Sequence, residues 1–236
     1  ISFYLSSYHQ LEVPLIVDKE KENCNGKLKM LSGVLAEFEV TDTELYGDMA
    51  FLSSVHNMGL YANMKSEIIT LEKVNVNKST NNPRQIFARV AGLNIWESDG
   101  AGLQLGIGGR GLSPNRTSTF NTRQNGYDIS ADALGYPESY YTPSTEALAS
   151  IEVVRGAASL QYGTQFGGLL NFVLKKGSDS KPLEVTARNT VGSFGLVNSF
   201  TSLGGTVGRL NYCAYYQNKS GDGWRPNSEF KQETAH

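Results

Sequence analysis

The sequence predicts an α+β domain with a small mixed sheet, followed by antiparallel strands that alternate in polarity. Three observations predict it. Only 19% of the 236 residues are charged and 25 are glycine, a balance that favours strands and turns over salt-bridged helices. Short helical and strand segments alternate between glycine-bearing loops from about 77 to 176. After the charged stretch "KKGSDSKP" the pattern shifts to a period of two.

Bulk properties exclude several classes. A net charge of −2 gives no basic field for nucleic acid. Two cysteines, Cys24 and Cys213, leave a disulfide open but supply too few ligands for a zinc site. The histidines, His9, His56 and His236, are scattered and read as surface or packing residues. No run approaches the roughly 18 apolar residues of a spanning helix. The chain opens at Ile1 without a signal segment, and "PNSEFKQETAH" closes no apolar pattern, so it reads as a fragment.

In order along the chain, "NNPRQIFARVAG" is a punctuated helix. Asn82 is its cap, Pro83 its first turn, Ile86, Phe87 and Val90 its apolar face, and Gly92 its stop. "LQLGIGGRGLSPNR" then places Gly106, Gly108 and Gly111 in the G-x-G-x-x-G spacing of a dinucleotide loop. Such a loop needs a buried strand before it and a helix after it. Here "LSPNRTSTFNTRQNG" follows, with Pro114 and no 3.6-residue period. It reads as a loop and a strand, Thr117 to Gln124, closed by the Asn125-Gly126 hairpin signal.

"PSTEALASIEVVRG" reads as a short helix at Ala147 and Leu148 running into a strand, Ile151 to Arg155, and "GGLLNFVLKK" as a strand from Leu169 to Lys175. Beyond the linker, "LEVTARNTV" alternates, "LVNSFTSL" follows, and "GGTVGR" reads as a tight turn. In "LNYCAYYQNKSGDGW", Leu210, Tyr212, Ala214 and Tyr216 share one face, and Asn211, Cys213, Tyr215 and Gln217 the other. This pattern suits an outer-membrane barrel and equally a small soluble antiparallel sheet.

Two blocks resemble the TonB-dependent outer-membrane receptors. One is "NNPRQIFARVAGLNIWESDGAGLQLGIGGRGLSPNRTSTFNTRQNGYDISADALGYPESYYTP". The other is "EALASIEVVRGAASLQYGTQFGGLLNFVLKK", with its "IE-V-RG" strand, "YG", and "GG-NF" strand. Within the family, "RGLSPNR" with "YPESYYTP" looks most like the ferric citrate receptors. The hairpin "NGYDISADALGYP" is longer than the family's usual "DG-P". The resemblance implies a plug at 77–178, lodged in a barrel of about 22 strands, with its first strands in 179–236. Residues 61–76 would be an extended segment before the plug, and 1–60 an accessory or signalling region.

The implied activity is uptake of an iron chelate, ferric citrate or another siderophore, without covalent chemistry or cofactor, since iron would travel as a chelate. Guanidinium, amide and phenol groups would bind it: Arg116 first, then Arg123, Gln124, Tyr136, Tyr140, Tyr141 and Gln165. Arg110 and Arg155 would meet barrel carboxylates. A TonB-type periplasmic protein would supply energy by pairing with Glu67, Ile68, Ile69, Thr70 and Leu71. The full barrel would meet outer-membrane lipid, and no nucleic acid is implied. Rival readings are another cargo (haem, cobalamin, oligosaccharide), a β-rich adhesin, and a soluble nucleotide-binding enzyme using Gly106, Gly108 and Gly111.

Overall fold

The computed structural model describes residues 2–3, 11–12, 49–52, 55–56, 59–60, 66–74, 76–87, 90–97, 99–131, 138–155, 161–162 and 167–236. Two compact units divide at 41/42. In the first, β1 (Ser2–Phe3) pairs antiparallel with β2 (Leu11–Glu12).

The second unit begins with β3 (Met49–Phe51), the hairpin of β4 (Val55–His56) and β5 (Gly59–Leu60), β6 (Ser66–Thr70) and α1 (Pro83–Phe87). It continues with β7 (Leu93–Trp96), β8 (Gly106–Gly109), β9 (Phe120–Gln124), β10 (Tyr127–Asp128), β11 (Leu148–Val154) and β12 (Gly168–Leu174). A mixed six-stranded sheet runs in the order β10-β9-β12-β11-β6-β3, with β12 parallel to β9 and its other pairings antiparallel. At the edge of this sheet β3 pairs with Glu67–Ile69 of β6. Ile69, Phe87, Ile107, Phe120, Ile151, Val153 and Leu170 form its core, each 1% exposed or less.

Local chemistry fixes several elements. In α1, Asn82 Oδ1 accepts the Gln85 N–H at 3.0 Å, and Ile86, Phe87 and Val90 are buried as their spacing predicts. Asn125 and Gly126, at φ +50° and +83°, make the tight turn that joins β9 to β10.

Other elements depart from the sequence reading. The expected strand start at Thr117 is a 3-10 turn over Asn115–Thr117. The helix expected at Ala147 and Leu148 is one 3-10 turn, Thr145–Ala147, because Leu148 already pairs with Leu174.

Beyond the linker lie β13 (Glu184–Val191), β14 (Val197–Val207), β15 (Leu210–Gly221) and β16 (Phe230–Ala235), an antiparallel sheet in chain order. Gly204 and Gly205 of "GGTVGR" stay inside β14, and the turn is made by Gly208 and Arg209. The linker lies over these glycines: a Cβ on Gly205 would stand 2.2 Å from the Pro182 carbonyl oxygen. Asn211 ties the linker down, accepting the Gly177 N–H at 3.0 Å and donating to the Gly177 carbonyl at 2.8 Å.

The faces of this sheet are inverted relative to a soluble one. Val185, Leu203, Val207, Leu210 and Tyr216 point outward and are exposed, whereas Asn198, Gln217 and Lys219 are buried against the α+β domain. Phe200 and Tyr215 join the domain's core and stack with ring centroids 5.8 Å apart. The outward face turns polar towards the 222–229 loop, where Lys231 Nζ lies 2.8 Å from Glu233 Oε1.

The glycines of β8 serve packing. A Cβ on Gly108 would lie 2.3 Å from the Leu112 carbonyl oxygen, whereas one on Gly111 would meet nothing within 4 Å. Gly111→Ala should therefore cost only the left-handed strain at φ +75°, about 1–2 kcal/mol. Gly108→Ala should lower the thermal midpoint further in calorimetry, and equal losses would contradict the close-approach argument.

Candidate functional site

The β8 strand ends in a tight turn rather than a helix. Arg110 and Gly111 occupy its centre at φ +56° and +75°, and the Leu112 N–H donates to the Gly109 carbonyl at 3.0 Å. A dinucleotide loop needs a helix N-terminus at this point, so the glycine spacing here is not that motif.

After the turn, Arg116 and Thr117 both adopt positive φ, +49° and +54°. Neither is glycine, so the backbone is strained and must be held. Thr117 is fully buried and provides the hold. Its Oγ1 donates to the Leu105 carbonyl at 2.7 Å and accepts the Ile107 N–H at 3.3 Å. The Ser139 N–H donates to the Arg116 carbonyl at 2.8 Å, joining this loop to the 138–142 segment.

These constraints place the Arg116 side chain beside Glu138 and Tyr140. Arg116 Nη1 donates to Glu138 Oε2 at 2.9 Å and to Tyr140 Oη at 3.0 Å, and the Tyr140 hydroxyl donates to the same Glu138 oxygen. The guanidinium also lies 5.1 Å from the Tyr140 ring centroid. Hydrogen bonds from Tyr140 and then Arg116 hold the Glu138 carboxyl below its ordinary range, and the bond to Glu138 raises the Tyr140 phenol. Arg116 and Tyr140 are exposed and Glu138 is half-buried, and the contacts among the described residues engage Nη1 of the guanidinium.

The other expected ligand residues are placed differently. Arg123 is used inside the β9–β10 hairpin: Nε donates to Asn121 Oδ1 at 2.7 Å, Nη1 to the Gly126 carbonyl at 2.6 Å and Nη2 to the Tyr162 carbonyl at 3.0 Å. Gln124 Oε1 accepts the Tyr141 hydroxyl at 3.2 Å, and that hydroxyl lies 3.4 Å from the Tyr215 hydroxyl of β15. Arg123, Gln124 and Tyr141 thus hold the architecture together. Tyr136 and Gln165 lie outside the described residues. Glu138 was missed by sequence reasoning, and its only signal was a carboxylate in the same loop as two tyrosines.

The two "RG" arginines also differ from each other. Arg155 pairs with Glu67 of β6 and donates to the Ala91 carbonyl. Arg110 is exposed at its turn. Glu67 to Leu71 form an interior strand and its exit: β6 is paired on one side with β11 and on the other with β3, and Ile69 and Leu71 are each 1% exposed. Neither edge of β6 is open to a partner's sheet, contrary to the expectation for this segment.

Comparison with known proteins accords with this architecture. Residues 62–169 match the TonB-dependent receptor plug domain family. The chain is 23% identical to the ferric citrate transporter FecA in its unliganded form (TM-score 0.59), over 74% of this chain and 28% of FecA. It is 17% identical to the pyoverdine outer membrane receptor FpvA of Pseudomonas aeruginosa PAO1 (TM-score 0.55), over 73% and 24% of the two chains. For BauA, the ferric preacinetobactin receptor of Acinetobacter baumannii, identity is 18% (TM-score 0.54), over 75% and 26%. A search of curated proteins gives no match.

Residues 62–169 therefore carry a TonB-dependent receptor plug domain, and a sheet of antiparallel strands follows it. Receptors of this family are outer-membrane proteins of Gram-negative bacteria. The chain spans about 28% of the length of FecA.

Two outcomes test this geometry. Thr117→Val leaves the Leu105 carbonyl and the Ile107 N–H without their partner and should cost about 1–3 kcal/mol in thermal unfolding; an unchanged midpoint would contradict the anchoring role. Arg155→Ala strands the Glu67 carboxylate and should cost about 3–5 kcal/mol, while Glu67→Ala/Arg155→Ala together should cost less than Arg155→Ala alone. A double variant worse than the single would remove the pair.

Proposed function

We propose that the chain is the plug and leading wall of an outer-membrane receptor that imports a ferric chelate, ferric citrate or another siderophore. The observation that carries this reading is the Arg116–Tyr140–Glu138 cluster, held on a strained loop of a plug domain. Arginine is the side chain best matched to a chelate's carboxylate oxygens, because its planar fork donates two parallel hydrogen bonds. Glu138 and Tyr140 orient that fork and leave its outer edge for a ligand.

Import involves no bond-making by the protein and no resident cofactor. The barrel meets lipid through its outward apolar face. Energy comes from a TonB-type periplasmic protein, which would act on a segment other than an intact β6. Domain limits follow the same reading: a plug ending near 178 and barrel wall from 179 onward. Haem, cobalamin and oligosaccharide are the alternative cargoes, and the uptake test below separates them from a ferric chelate.

The test is uptake of radioactive iron supplied as ferric citrate to cells carrying the intact receptor. Arg116→Ala should weaken chelate binding by about tenfold to a hundredfold, the worth of one or two charge-assisted hydrogen bonds. Arg123→Ala should act chiefly on stability. Unchanged affinity in Arg116→Ala would remove the ligand assignment, and uptake of another cargo with none of ferric citrate would redirect the reading.

A further inference from the structure

The seam between plug and wall holds a cavity that shares no residue with the Arg116 cluster. It measures about 520 Å³ and is lined by Lys73, Lys78, Ser79, Glu146, Arg188 and Thr190 among others. It opens broadly to solvent, with Glu146 and Ser79 at its buried floor.

Glu146 lines this cavity and is only 2% exposed. Its Oε1 accepts a hydrogen bond from Asn198 Nδ2 at 3.4 Å, and Asn198 in turn accepts from Gln217 Nε2 at 2.8 Å. Among the described residues its Oε2 accepts no hydrogen bond, and its ion-pair partner Arg188 Nη1 stands 4.0 Å away. A buried carboxylate oxygen without a donor is costly. The pocket thus contains a buried acceptor whose ion-pair partner, Arg188, stands beyond hydrogen-bond distance.

The surrounding charge has the opposite sign. Lys73, Lys78 and Arg188 line the cavity against Glu72 and Glu146, so cations outnumber carboxylates. Their crowding is felt at Lys78, whose pKa is lowered first by burial and then by Lys175 and Arg188. An anion would relieve that repulsion. A bare metal ion would face the same cations, and among the described residues no three metal-ligating side chains gather.

We propose that this seam cavity is a second binding site, taking an α-hydroxycarboxylate anion. The ligand's hydroxyl donates to Glu146 Oε2, and its carboxylates pair with Lys78 and Arg188. A plain polycarboxylate would satisfy the cations and leave Glu146 without a donor. The inference rests on reading the chain as part of a chelate receptor, since that brings such an anion to the seam. It places a station for the iron-free or released chelator between plug and wall.

The test is calorimetry on the intact receptor in detergent, with iron-free citrate and with tricarballylate, which has the same three carboxylates and no hydroxyl. The Arg116→Ala receptor should still bind one citrate. Adding Lys78→Ala or Arg188→Ala should weaken that binding about tenfold, as loss of a charge-assisted contact does. Tricarballylate should bind about tenfold more weakly than citrate wherever Glu146 is intact, and equally in Glu146→Ala.

Absence of citrate binding in Arg116→Ala, or equal binding of the two anions with Glu146 intact, would overturn the seam site. The ligand comparison needs no change at Glu146, so it holds even if that variant folds poorly. Should the unaltered receptor bind no ferric citrate while citrate binding sensitive to Lys78 and Arg188 persists, the cargo reading fails and the seam site stands.

Discussion

The wall sheet presents its polar face to protein and its apolar face to the outside, and the rest of the architecture depends on that inversion. Asn198, Gln217 and Lys219 are each 3% exposed or less, while Val207 and Leu210 at the β14–β15 turn are 59% and 66% exposed. A sheet in water cannot hold that arrangement, because it would expose apolar area and desolvate polar groups at once. It is stable only where something apolar lies outside and something with hydrogen-bonding groups lies inside. The plug is the inner partner: Ala101 accepts a hydrogen bond from Lys219 through its carbonyl, and Glu146 accepts one from Asn198.

Given that constraint, the plug has to be shaped by its container. Its sheet is compact and mixed, its loops turn sharply, and its one described α-helix spans five residues. Charge is used where the two parts meet. Burial raises the pKa of Glu146, while Arg188, Lys175, Lys219 and Lys78 act to lower it.

What the sequence disclosed was local. The α1 helix and the Asn125-Gly126 hairpin were legible because cap, turn and apolar face lie within a few residues of one another. The alternation of Leu210 to Gln217 was legible because a strand facing two solvents writes its period directly into the chain. Long-range pairing was not legible. The strand propensity of Ile68 and Ile69 fitted both a free pairing segment and a central strand, and only partners at Met49–Phe51 and Leu148–Val154 decide for the latter. Gly204 and Gly205 read as a turn, yet they are needed where the linker crosses the strand. The Arg116 site was half visible: its arginine and tyrosine stood out, but Glu138 becomes a partner only once two loops meet.

The central claim is that this plug sits within the wall of an outer-membrane barrel. Its most direct test is the migration of the native gene product from outer-membrane extracts, before and after boiling. The account predicts a band far above 25.8 kDa that shifts on heating, as a closed barrel does. A soluble product near 25.8 kDa, unaffected by boiling, would contradict it.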